Sequence, residues 1–151
     1  MIARDRYDFG LQQAASAAEG CWQWHYQWDL VPFLPFHSGF KWGVTVPGPS
    51  GPLDKSNYEM IAEGITDYRY FATLVNRIAA AKKAGKAKKE VAAAEKAIAK
   101  LLKVAPPYAR RADYEGRSRA ERTKRDKMAG RTLDQWRDIF SAHIIAIDKG
   151  V

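Results

Sequence analysis

The order of apolar and polar positions divides the chain into a short helix, an alternating aromatic stretch, a proline-rich passage and three longer helices. Residues 8–18 (DFGLQQAASAA) read as a helix ending at Glu19-Gly20, where glycine suits the position just past a helix. Over 21–28 (CWQWHYQW) the pattern turns to strict alternation. Trp22, Trp24, Tyr26 and Trp28 fall on one side, and Cys21, Gln23, His25 and Gln27 on the other. Period 2 in residues of high β-propensity predicts a strand. A strand needs neighbours to satisfy its backbone, and the one weaker candidate is 41–46 (KWGVTV). Residues 29–55 otherwise read as a long loop holding five of the seven prolines, with turns at Gly48 and Gly51.

Ser56, with Glu59 three residues on, forms a capping-box pattern and predicts a helix start. From there Tyr58, Ile61, Ile65, Tyr68, Phe71, Leu74 or Val75, and Ile78 recur at 3–4 spacing up to Ala84, and Gly85 marks the end. Gly64 lies inside this helix at a cost of about 1 kcal/mol relative to alanine, which points to a close packing partner. A second helix is predicted over 86–104, with Val91, Ile98, Leu101 and Leu102 on one side and Pro106-Pro107 as its stop. Residues 108–131 are polar and basic, with a short helix expected near 119–128. Thr132 and Gln135 form another capping-box pattern before a last helix, whose apolar side is Leu133, Trp136, Phe140, His143 or Ile144, and Ile147.

Charge is distributed unevenly along these elements. Residues 1–60 hold four basic and six acidic side chains, whereas 61–151 hold 21 and 11, so the net charge of +8 arises wholly in the second part. Arg110, Arg111, Arg117, Arg119, Arg122, Lys124, Arg125, Lys127 and Arg131 crowd one stretch, and Lys82, Lys83, Lys86, Lys88 and Lys89 another. Such clusters can neutralise phosphates, which makes a small basic nucleic-acid-binding protein one reading. Acidic residues interrupt the first cluster, no recognised nucleic-acid motif accompanies either, and a solvated helix face has the same composition. The charge-free stretches are too short for a membrane span, the longest being the 12 residues 42–53, and Arg4, Asp5, Arg6 and Asp8 exclude a signal peptide at this N-terminus.

Chemistry-bearing residues are sparse. His25, His37 and His143 lie far apart and Cys21 is the one cysteine, so no metal-ligand spacing exists and no internal disulfide is possible. Four aromatics on one face of a strand are core by default. The alternative is a platform on which sugar rings stack, with His25 and Asp29 bonding hydroxyl groups. A third reading is a structural module that hides the aromatic face against a partner or a second copy. No pair of carboxylates is placed as glycoside hydrolysis requires.

Two segments together resemble the C-terminal end of glycoside-hydrolase-like (β/α)8 proteins, the family 123-like β-N-acetylgalactosaminidases and the proteins around them. In SNYEMIAEGITDYRYFATL (56–74), Glu63, Gly64, Ile65, Asp67, Tyr68 and Tyr70 match the last barrel helix, which reads Arg-x-x-Ala-x-Arg-Glu-Gly-Ile-Asp/Glu-Asp-Tyr-x-Tyr. Ala62 stands where that pattern has arginine. Upstream, RYDFGLQQAASAAEGCWQWHY (6–26) resembles the preceding helix and eighth strand. The likeness covers about residues 5–80.

The resemblance implies a mainly α chain with one or two short strands: the last helix–strand–helix of a (β/α)8 barrel plus a C-terminal helical extension. Residues 1–84 would be the end of the barrel-like domain and 85–151 a basic helical extension. Because a whole barrel takes about 250 residues, the chain is expected to be the tail of a larger protein, secreted or periplasmic if the family's habit holds. Trp22, Trp24, His25, Tyr26 and Asp29 would line the edge of a glycan-binding cleft. The family's catalytic acids lie on earlier strands, so this chain is not expected to catalyse alone. No cofactor or metal is implied. The implied partners are a carbohydrate substrate and the remainder of the barrel.

Overall fold

The computed structural model describes residues 2–16, 25–27, 43–48, 50–54, 56–104 and 132–151. Its elements are α1 (Ile2–Phe9), α2 (Leu11–Ser16), β1 (His25–Gln27), β2 (Gly43–Gly48), β3 (Gly51–Asp54), α3 (Ser56–Ala84), α4 (Lys88–Val104) and α5 (Leu133–Gly150). At 29 residues α3 is the spine, about 43 Å long at 1.5 Å per residue. The other helices pack along it.

Local chemistry explains the boundaries. Thr132 and Gln135 form the predicted reciprocal cap at the start of α5. The Gln135 backbone N–H donates to Thr132 Oγ1 at 3.2 Å, and the Thr132 N–H donates to Gln135 Oε1 at 2.9 Å. Gly85 ends α3 in the left-handed region at φ +69°, where a side chain is disfavoured. Around it the Lys86 N–H donates to the Ala81 carbonyl and the Gly85 N–H to the Lys82 carbonyl, a Schellman closure. The connection to α4 needs only two further residues, so α3 and α4 form an antiparallel hairpin. The N-terminal helix expected over 8–18 instead starts at Ile2 and breaks at Gly10, where α3 crosses it.

The buried core comprises Tyr7 of α1, Leu11 of α2, Leu74, Ile78 and Ala81 of α3, Val91, Ala94 and Leu101 of α4, and Leu133, Trp136, Phe140 and Ile147 of α5. Phe140 anchors the aromatic part, edge-on to Phe71 with centroids 5.8 Å apart and 6.0 Å from the Trp136 ring. The core draws on both sides of residue 84.

This packing corrects the barrel-fragment expectation. In a barrel each helix lays its apolar side on a layer of parallel strands. Here the helices bury their apolar sides on one another, α1, α4 and α5 packing against α3. The short strands pair among themselves in the order β1-β2-β3. β1 and β2 run parallel, but β2 and β3 form an antiparallel hairpin, with Val46 opposite Leu53 and Gly48 opposite Gly51. That hairpin occupies part of the stretch read as loop. The predominantly helical character holds, but the arrangement is a helical one and not the end of a barrel.

The apolar stripe of α3 is also shifted from its expected position. Tyr58, Ile65, Tyr68 and Val75 are 36–40% exposed. The buried line is Gly64, Asp67, Leu74, Ile78 and Ala81, with Phe71 half-buried beside it. On α4, Leu102 likewise points outward. The neighbours Leu74 and Val75 therefore separate the two stripes. Leu74→Ala should cost about 2–5 kcal/mol in urea unfolding. Val75→Ala should cost less than about 1 kcal/mol, and equal costs would contradict the burial assignment.

Candidate functional site

The most elaborate polar constellation joins α1, α3 and α5 around one carboxylate. Asp67 is 1% exposed, on the inward face of α3. Arg6 of α1 grips it with two bonds, Nε to Oδ2 at 2.7 Å and Nη2 to Oδ1 at 3.1 Å. Arg137 of α5 donates from Nε to Oδ1 at 2.6 Å. Arg137 Nη2 also reaches the Glu63 carboxylate and its backbone carbonyl, one turn earlier on α3. Arg6 Nη2 makes a further ion pair with Asp134 of α5 at 2.7 Å. Two guanidiniums thus meet three carboxylates, and both Asp67 oxygens are bonded.

Backbone contact makes this geometry possible. A Cβ on Gly64 would overlap the Arg6 carbonyl, and one on Gly10 would sit 2.8 Å from the carbonyls of Arg6 and Gly64. The two glycines let α1 rest directly on α3, and that closeness brings Arg6 within reach of Asp67 one turn along. The close partner that Gly64 signalled is the end of α1. Burial pulls the Arg6 guanidinium toward neutrality, but its bonds to Asp67 and Asp134 outweigh this and raise its pKa above the ordinary arginine value. Arg137 behaves alike: burial lowers its pKa, bonds to Glu63 and Asp67 raise it further, and nearby Arg6 opposes them. Stabilisation from a raised arginine pKa is fully present below the ordinary arginine value and fades only above the still higher folded-state value. The cationic side of the cluster is therefore constant through neutral pH.

The cluster is a clamp: its carboxylates are bonded to arginines, and Asp67 is 1% exposed. A shallow cavity of about 280 Å³ lies elsewhere, at the α3–α4 turn, lined by Lys82, Gly85, Lys86, Lys88, Val91 and Glu95. Among the described residues no group of three or more His, Cys, Asp or Glu side chains is placed to hold a metal, and no helix is long and apolar enough to cross a membrane.

Of the residues expected to bind sugar, Trp22, Trp24 and Asp29 lie outside the described residues. His25 and Tyr26 lie on β1, with the His25 backbone opposite Gly43 and Gln27 opposite Thr45 in the parallel pairing to β2. Their side chains also fall outside what is described, as does the basic stretch 105–131. Sequence reasoning gave no bonding role to Arg6, Asp67, Asp134 or Arg137. The available signal was an aspartate three residues after an in-helix glycine, a spacing that puts both on one helix face.

Two substitutions test the clamp by thermal or chemical denaturation. Asp67→Asn removes the shared charge from two arginines and should destabilise by about 3–5 kcal/mol, the cost of breaking a buried pair. Gly64→Ala should be destabilising despite alanine's higher helix propensity, because α1 must lift away; a neutral or stabilising result would disprove the backbone contact. Comparison of the chain with family models, curated proteins and solved structures finds no match.

Proposed function

We propose that the chain is the C-terminal segment of a carbohydrate-active, glycoside-hydrolase-like protein, supplying an aromatic surface for sugar stacking and no bond-cleaving acids of its own. What supports this reading is the use made of the signature residues on α3. Glu63, Gly64 and Asp67, half of the matched positions, are the ones bound into the contact with α1 and α5. Those residues thus have an architectural task, consistent with a motif that marks a supporting helix and not the chemistry.

The clamp ties together the helices on either side of residues 17–55, which contain eight of the chain's 18 aromatic residues between Trp22 and Trp42. In this reading Trp22, Trp24 and Tyr26 offer ring faces, while His25 and Asp29 bond hydroxyls. The outward stripe of α3, with Ile65, Tyr68 and Val75, faces the remainder of the larger protein.

Titration of the chain with N-acetylhexosamines and their oligomers, followed by tryptophan fluorescence, tests the proposal. Saturable quenching or a blue shift is expected. Trp24→Ala should weaken the affinity about tenfold, equivalent to 1.4 kcal/mol. An unchanged affinity in that variant would remove the stacking platform, and no response to any sugar would remove the reading altogether.

A further inference from the structure

The exposed side of α4 carries a different kind of site. Val91, Ala94 and Leu101 are buried and Ile98 is half-buried, so together they define the inward face. At 100° per residue, the opposite side presents Lys89, Lys96, Lys100 and Lys103, with Ala92, Ala93 and Ala99 between them. All seven are exposed. The four lysines extend over about 21 Å of helix axis. Among the described residues, none of them takes part in an ion pair.

This differs from an ordinary solvated face, in which glutamates usually lie one turn from lysines. The two glutamates of α4 are both off the stripe. Glu95 pairs with Lys82 at 2.5 Å, and Glu90 is half-buried, with its Oε2 near Gly150 at the end of α5. Lys82, Lys86 and Lys88 line the shallow cavity at the stripe's N-terminal end, adding positive charge there. Along the sequence, residues 82–131 hold 17 basic and six acidic side chains, a net of +11, while the rest of the chain totals −3. The positive charge is concentrated in about a third of the chain, and the outward stripe of α4 carries no carboxylate.

The composition of the face narrows its partner. It bears no aromatic ring on which a sugar could stack. Apart from Leu102, the large apolar residues of α4 are spent on the core, so the helix has no apolar face left to insert into a lipid surface. It has no arginine, asparagine or glutamine to read base edges. Point charges on flexible stems, separated by small alanines, suit a regular row of phosphates. We infer that the outward face of α4 binds the phosphate backbone of double-stranded nucleic acid without regard to base sequence, a property independent of the glycan reading.

The test is fluorescence anisotropy of the full chain with two labelled 20-base-pair duplexes of unrelated sequence, from 20 to 200 mM salt. Both duplexes should bind alike, with affinity falling steeply as salt rises. Replacing Lys96, Lys100 and Lys103 together by glutamine should flatten the log–log salt slope by about three and weaken binding at least tenfold at 50 mM salt. Lys149→Gln, at an exposed position on α5 and off the α4 stripe, should change the slope by no more than about one. Circular dichroism of the triple variant should match the parent, because the replaced residues are exposed. If the triple variant keeps the parent slope, or if neither duplex binds at 20 mM salt, the inference fails. It fails equally if a sulfated polysaccharide or an anionic vesicle outcompetes the duplex at equal charge. Trp24→Ala should leave duplex binding unchanged, so loss of the glycan reading and loss of this one are separable.

Discussion

The architecture depends on a single carboxylate held between two guanidiniums. Removing Asp67 from water is costly, and two arginines from different helices repay that cost only by converging on it with short, directed bonds. The requirement is geometric before it is electrostatic. Arg6 reaches Asp67 because α1 lies with its backbone on α3, and it lies there because neither Gly10 nor Gly64 has a Cβ. Arg137 arrives from α5, which the Thr132 cap starts one turn upstream. Glycine crossing, buried carboxylate and capped helix are thus one device, since loss of any member leaves charge stranded among the others.

At the other end of the bundle the forces are of a different kind. There Gly85 turns the chain, Ala87 follows with φ +48°, and the end of α5 packs into the corner so closely that a Cβ on Gly150 would lie 3.0 Å from the Ala87 Cβ. Arg77 and Asp148 pair at 3.2 Å near this end, both about half exposed. An exposed pair of that kind contributes little to stability. Backbone closure and apolar packing therefore hold this end, whereas oriented charge holds the first. α5 runs parallel to α3 because both of its ends are specified.

The elements readable from sequence were those decided by local chemistry. The Thr132–Gln135 cap, the stop at Gly85 and the three long helices all depend on residues within one or two turns of each other. The assignment of faces on α3 depends on more than local chemistry, and there the pattern held only in part: Phe71, Leu74 and Ile78 face inward as expected, while Tyr58, Ile65 and Tyr68 do not. Ile61, Ile65, Tyr68 and Val75 form as regular an apolar line as any core stripe, and nothing local says which of two adjacent lines faces inward. The decision comes from α1, 50 or more residues away in sequence, through Gly64 and Asp67. A glycine and an aspartate look like interruptions of an apolar stripe, and here they are its buried part. The barrel arrangement failed for the same reason: the motif specifies a helix and its bonding groups, but not the layer on which that helix lies.

The basic side chains around the buried carboxylate are arginines, and those of the outward side of α4 are lysines. The cations that converge on the buried Asp67 are arginines, Arg6 and Arg137, whereas the exposed pairs between helices use Arg77 with Asp148 and Lys82 with Glu95. The outward stripe of α4 consists of lysines alone. A planar fork with fixed donors suits a partner whose place is set by the fold, because little freedom is lost per bond formed. A mobile ammonium suits a partner whose position is not set in advance. If the charges of α4 served only solubility, glutamates on the same face would serve as well and would relieve the repulsion among four neighbouring cations. Their absence from that face, while Glu90 and Glu95 stand to either side of it, is the asymmetry that needs a partner to explain it.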